Sequence, residues 1–256
     1  MWWSRYLLVA MLTASPTTAL ARADSPSIAQ LRPTVLTRID HDPTAFTEGL
    51  FISGTSLYES SGLFGHSQLR ELDPITGALR REAQLPPTYF GEGIADNGDH
   101  IWQLTYQNGI AIEWDKATLT SIREVSLQGE GWGLCRDGSR LIRSDGTARL
   151  HFHRPDDMAE TGDMQVTYNG TPVPGLNSLD CFGNQIWANV FPTNRIVQID
   201  AATGAVRSVV YADGLLDTPH QGDVDVLNGI THLDDGQFLL TGKNWPTMYR
   251  VRFDPA

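Results

Sequence analysis

One short pattern recurs five times along this chain, and repetition at that period leaves few folds open to it. The segments are Phe46-Thr-Glu-Gly-Leu50, Phe90-Gly-Glu-Gly-Ile94, Gly131-Trp-Gly-Leu134, Leu176-Asn-Ser-Leu-Asp180 and Leu227-Asn-Gly-Ile230. With Gly49, Gly93, Gly133, Leu179 and Gly229 taken as equivalent, the intervals are 44, 40, 46 and 50 residues. A second strand-like run follows each segment: Leu57–Ser60, Ile101–Leu104, Leu141–Ser144, Ile186–Asn189 and Phe238–Thr241. Turn signals part the two runs: Ser53-Gly54, Asn97-Gly98, Asp137-Gly138, Gly183-Asn184 and Asp235-Gly236. Third strands are expected at Gln68–Asp73, Ile110–Asp115, Arg149–His153, Arg195–Asp200 and Met248–Asp254, and fourth strands at stretches such as Ala78–Leu85 and Ala205–Tyr211.

Four short strands every 40 to 50 residues, with no helical pattern of any length, predict an all-β, five-bladed β-propeller. The fifth unit stops after three strands, which would leave its outer edge unpaired. Pro33–Ile39 is strand-like and precedes the first unit, so it is expected to complete the last blade and close the ring. Residues 33–256 are read as one domain, 24–32 as a short linker and 1–23 as a signal peptide.

Equivalent residues of the innermost strands should form a ring around a central channel. Just before the five anchors stand Glu48, Glu92, Trp132, Ser178 and Asn228. A structural ring would be apolar or small, because buried carboxylates are costly without partners. Cys135 and Cys181, the two cysteines, follow their anchors at matching places on neighbouring inner strands. Adjacent-blade equivalents tend to lie beyond the roughly 7 Å Cα separation a bridge tolerates, so free thiols are expected over a disulfide.

The hydrophobic content of 41% supports a sizeable core, and the net charge of −11 disfavours nucleic acid and anionic membrane surfaces as partners. The N-terminus has a basic start at Met1–Arg5, an apolar run at Tyr6–Ala14 and small residues at Ala19-Leu-Ala21 or Ala21-Arg-Ala23. That is the layout of a cleaved secretory signal, and the run is about half the roughly 20 residues a spanning helix needs. The mature chain is expected to begin near Arg22 or Asp24, without a membrane anchor, secreted or periplasmic, and as a monomer.

The five anchor segments, together with Leu57-Tyr-Glu-Ser60, Gly62-Leu-Phe-Gly65, Ile186-Trp-Ala-Asn189 and Thr241-Gly-Lys-Asn-Trp-Pro246, resemble the plant-type and bacterial glutaminyl-peptide cyclotransferases (glutaminyl cyclases) over roughly residues 33 to 253. The resemblance implies a five-bladed propeller and closure of the N-terminal glutamine of peptides or proteins into pyroglutamate with loss of ammonia. It implies Glu92 as proton shuttle, Phe46, Phe90, Trp132 and Trp187 as pocket aromatics, and Asn177 and Lys243 as polar contacts. Glu48 stands where plant members have glutamine and Tyr106 where an indole is usual; both belong to the expected substrate pocket.

Cyclisation needs a folded near-attack shape, a proton carrier and a donor to the tetrahedral oxygen. Glu92 as general acid/base, with Lys243 or Asn177 as donor, would supply the last two. No cofactor is expected for catalysis, although a structural calcium near Glu48 and Asn228 is an option. A calcium-dependent, lactonase-like hydrolase built on Glu48, Glu92 and Asn228 and a non-catalytic peptide-binding propeller are the rival readings. His151 and His153 share a strand face as zinc ligands would, but a plain surface pair is favoured over a metal site. Asn169-Gly-Thr171 is read as a turn before a glycosylation site, and Asp213–Val226 as either a lid or a surface loop. No Gly-x-Ser-x-Gly elbow, Walker loop or Cys-x-x-Cys occurs.

Overall fold

The computed structural model describes residues 1, 27–216 and 224–256; the segment read as a signal peptide lies outside them beyond Met1, as does the middle of Asp213–Val226. The described chain is β-structure with one short 3₁₀ turn at Asp234–Gly236. It opens with β1 (Ala29–Asp40). The first antiparallel meander is β2 (Thr47–Ser53), β3 (Ser56–Ser61), β4 (Gln68–Leu72) and β5 (Leu79–Gln84). The second is β6 (Gly91–Asn97), β7 (His100–Thr105), β8 (Ile110–Asp115) and β9 (Thr120–Ser126). The third is β10 (Leu134–Asp137), β11 (Arg140–Ser144), β12 (Arg149–His153) and β13 (Glu160–Gln165). A two-stranded hairpin, β14 (Thr167–Tyr168) and β15 (Thr171–Pro172), precedes the rest, and Asn169 at its turn takes φ 48°, so the turn reading of that sequon holds.

The remaining strands form an eight-stranded sheet. One half is β16 (Leu176–Phe182), β17 (Gln185–Val190), β18 (Arg195–Asp200) and β19 (Val206–Tyr211). The other is β20 (Leu227–Leu233), β21 (Gln237–Gly242), β22 (Thr247–Pro255) and β1. The expected N-terminal strand therefore exists, pairing antiparallel with β22 from Leu31↔Pro255 to Asp40↔Thr247. It starts at Ala29, within the stretch read as linker, because its first residues also run parallel to β19 (Ala29↔Ser208) and so join the two halves.

Burial follows each strand's place in its sheet. Every residue of β3 is buried, whereas β5 alternates between exposed and half-buried positions. A strand covered on both faces is buried throughout, and an outer strand alternates. Among the described residues the core divides into clusters that each bridge two neighbouring meanders. Phe51, Tyr58 and Leu69 meet Ile94, Ile101 and Ile112 in one. Leu50, Leu57 and Leu72 meet Leu239, Met248 and Ile39 in another, so the last strands pack on the first. The leading strands β2, β6, β10, β16 and β20 are neighbours in that order, and β20 returns to β2. A cavity of about 210 Å³ between them is lined by Leu50, Ile94, Leu134 and Leu179.

The cysteine expectation is overturned. Cys135 and Cys181 form a disulfide with Cα atoms 5.6 Å apart. The leading strands converge on the central cavity, so β10 and β16 lie closer than the blade geometry assumed at the sequence level, and the separation falls inside the range a bridge spans.

Candidate active site

Glycine at the repeat anchors lets the leading strands touch. A Cβ on Gly93 would sit 2.5 Å from the Leu134 backbone nitrogen, and one on Gly133 would sit 2.0 Å from the Asn177 carbonyl oxygen. Any side chain there would push the strands apart. At the same level the ladders slip: pairing is irregular between Thr47 and Gly49, Gly91 and Ile94, Leu176 and Leu179, and Leu227 and Ile230. Bulges re-aim side chains out of the pleat. Glu48, Glu92, Asn177, Ser178 and Asn228 are the residues they carry.

These residues form a connected network at one end of the central cavity. Lys243, in the turn after β21, donates from Nζ to Glu48 Oε1 at 2.7 Å, and Asn228 Nδ2 donates to Glu48 Oε2 at 2.9 Å. Asn228 Oδ1 accepts from the Ser178 N–H at 3.3 Å. Glu92 shares a side-chain hydrogen bond with Glu48. The Gly93 N–H donates to the Trp132 carbonyl at 2.7 Å, which sets the fifth ring residue beside Glu92. The sequence-level ring is thus assembled.

Burial pushes the Glu92 carboxyl well above the ordinary carboxylate range, and the Glu48 charge pushes it further, while the Lys243 ammonium pulls the other way. Burial raises Glu48 as well, but Lys243 opposes that directly through charge and hydrogen bond. The pair therefore holds on to one proton near neutrality, on Glu92, with Glu48 as the anion facing Lys243. Glu92 Oε2 and Asn177 Oδ1 are buried without a hydrogen-bond partner, as are Ser178 Oγ and Asn189 Nδ2. Buried polar atoms left open are costly, so a cluster of them marks where a polar ligand would bond.

Aromatic rings surround this network, four of them half-buried and the fifth, Phe191, exposed. Phe90 meets Phe46 at 6.1 Å and Tyr106 at 5.8 Å between centroids, Tyr106 meets Trp132 at 6.4 Å, and Trp132 meets Phe191 at 5.7 Å. Lys243 Nζ closes the circle, 4.5 Å from the Phe46 centroid and 5.6 Å from that of Phe191. Trp132 is steadied by its Nε1–H, which donates to Glu130 Oε2 at 3.0 Å.

A family model described as glutamine cyclotransferase matches residues 7–253. The glutaminyl-peptide cyclotransferase of Arabidopsis thaliana is 36% identical over 229 residues, which is 87% of this chain and 71% of that protein. The chain belongs to the glutamine cyclotransferase family. The crystal structure of Myxococcus xanthus glutaminyl cyclase superposes with a TM-score of 0.83 at 33% identity, covering 90% of this chain and 100% of that one.

Of the family residues expected here, Phe46, Glu48, Phe90, Glu92, Tyr106, Trp132 and Lys243 are brought together. Asn177 shares the level of the ring through its contact with Gly133. Trp187 is not among them. It is 5% exposed and packs against Phe182, Phe238 and Phe253, in the core between β17 and the last meander. The residue that fills out the collar is Phe191, which follows β17 directly. Strand periodicity hides it, because a residue just past a strand end has no fixed face.

Two further features of this cyclotransferase were not legible in the sequence. Glu130 was silent because it precedes an anchor by three residues in an irregular stretch. A buried ionic cluster also backs the pocket: Glu59 accepts from His41 at 2.8 Å, from Thr47 Oγ1 at 2.7 Å and from Arg70 at 3.2 Å. It braces Thr47 next to Glu48. The His151 and His153 pair departs from the surface reading in part. His151 bonds Asp145 and Glu160, but His153 is buried and bonds the Met158 carbonyl.

Proposed function

We propose that this chain is a glutaminyl-peptide cyclotransferase, an acyltransferase that converts the N-terminal glutamine of peptides or proteins to pyroglutamate and releases ammonia, carried on a five-bladed β-propeller. Family membership supports the reaction, and the cyclic order of the leading strands supports the blade count. The observation that carries the site is Glu92: a buried carboxyl with one open oxygen, coupled to an anion and walled by aromatic rings.

The reaction moves one proton. The neutral α-amine attacks the side-chain amide carbon and must shed a proton, and the departing amide nitrogen must gain one to leave as ammonia. Ionised Glu92 takes the first proton as base and returns it as acid, so the enzyme ends as it began. Asn177 Oδ1 accepts from a substrate N–H. Lys243 has three protons and commits one to Glu48, which leaves others to steady the oxygen of the tetrahedral intermediate. The aromatic collar folds the glutamine side chain back on its own amine and keeps water out.

Calcium does not fit the Glu48 and Asn228 donor set. Nitrogen donors engage both Glu48 oxygens, and the Asn228 carbonyl oxygen faces the Ser178 N–H. A cation there would have to displace Lys243. We therefore read the reaction as metal-independent, and turnover should survive a chelator that would silence a calcium-dependent hydrolase. The disulfide supports an oxidising compartment, in keeping with secretion or a periplasm.

The deciding assay is ammonia release from a Gln-initiated dipeptide by purified protein. Release above the buffer rate is expected, and its absence rejects the enzyme reading. The pH profile then tests the coupling. Glu92 must be ionised to start, so kcat/KM falls as pH drops through its raised pKa. Glu48→Gln removes the neighbouring anion that raises this pKa, so the acid limb should move to lower pH. A limb that stays in place, or moves upward, contradicts the pairing.

A further inference from the structure

Beside the collar, one apolar side chain is held out in solvent by a loop built to keep it there. Phe64 is 57% exposed, yet its ring meets Phe90 edge-on at 5.4 Å. The loop that carries it, between β3 and β4, is pinned. The Gly62 N–H donates to the Phe46 carbonyl at 2.8 Å, and the His66 N–H and Ser67 Oγ both donate to the Leu63 carbonyl. Ser67 Oγ also accepts from the Gly91 N–H at 2.9 Å, tying the loop to the strand of Glu92. A Cβ on Gly62 would lie 2.4 Å from the Phe90 ring, so the backbone lies flat against that wall of the pocket.

Leu63 takes φ 84°, a region that residues with a side chain rarely occupy. Such strain persists only where surrounding structure imposes it, and it gathers at ligand-contacting positions. A pinned loop, a strained leucine and a solvent-facing phenylalanine set edge-on against a pocket ring do nothing for the core. They suit a contact with something that enters the pocket.

We propose that Phe64 forms a subsite for the side chain of the peptide's second residue and selects an apolar, preferably aromatic one there. This rests on the cyclotransferase reading of the pocket. With the first residue enclosed by Phe46, Phe90, Tyr106 and Trp132, the next Cα lies only about 3.8 Å further along the chain. The second side chain is then the first group to leave the collar, and Phe64 stands one ring beyond Phe90. Across the mouth, Glu130 beside Trp132 sets a negative field, whereas the Glu48 charge is met by Lys243. An acidic second residue is disfavoured by that field.

The test compares kcat/KM for the dipeptide amides Gln-Phe, Gln-Gly and Gln-Glu in wild type, Phe64→Ala and Ile75→Ala. Ile75 is a still more solvent-facing apolar residue, 79% exposed, in the turn between β4 and β5. Wild type should favour Gln-Phe over Gln-Gly by about three- to tenfold, mostly through KM, with Gln-Glu slowest. Phe64→Ala should bring the Phe-to-Gly ratio close to one, and Ile75→Ala should keep the wild-type ratio. An unchanged ratio in Phe64→Ala, or an equal fall with all three substrates, overturns the subsite. No ammonia from any substrate in wild type would instead overturn the reading of the reaction, and the subsite with it.

Discussion

Glu92→Gln should lower kcat by about 10² to 10⁴, with KM within a few-fold of wild type. The amide is the same size and can still donate to Glu48, so the pocket keeps its shape. It can neither take the amine's proton nor return one to the leaving nitrogen. A loss of that size corresponds to about 2.7–5.4 kcal/mol of barrier. The fold should be unharmed, because the substitution puts a neutral amide where burial already holds the carboxyl protonated, and Glu48 retains Lys243 and Asn228. Single-turnover ammonia release, with unfolding midpoints measured alongside, separates lost chemistry from lost structure. Wild-type turnover by the variant would strip Glu92 of the proton relay and leave the pocket without a base.

The second large effect concerns stability. Replacing both Cys135 and Cys181 by alanine should cost about 4 kcal/mol, the loop-closure value for a cross-link across 46 residues. The bond ties β10 to β16, and the loop it closes contains all of the third meander but the start of β10. Without it the unfolded chain gains freedom that folding must then remove. Denaturant unfolding of wild type and double variant reads the difference directly. A change below about 1 kcal/mol would mean that the strands are held by packing alone, with the bridge a bystander. Because Trp132 precedes β10 directly before Gly133 and Asn177 lies on β16 ahead of Cys181, a rise in KM in the variant would show the bond also sets the width of the pocket.

Much of this architecture was legible because glycine and turn residues recur at one period. Gly49, Gly93 and Gly133 mark places where strands touch, and that demand is written into the sequence as the absence of a side chain. The same register put Glu48, Glu92, Ser178 and Asn228 in one ring, where the structure finds them. Three features escaped. The disulfide turned on a difference of an ångström or two between strands, which spacing does not encode. Trp187 was placed in the pocket by its motif, yet its strand position turns it into an aromatic stack, and Phe191 serves the collar instead. The Glu59, His41 and Arg70 cluster joins residues from three separate segments, and nothing local announces it.

Glu48 comes from the first meander, and both groups that hold its oxygens, Asn228 and Lys243, come from the last, 180 and 195 residues away. The proposed centre therefore straddles the seam between the first and last meanders. A growing or truncated polypeptide can build most of its sheets and still lack the cation that orders its own acidic pair. On the proposed reading, turnover reports whether the first meander has met the last.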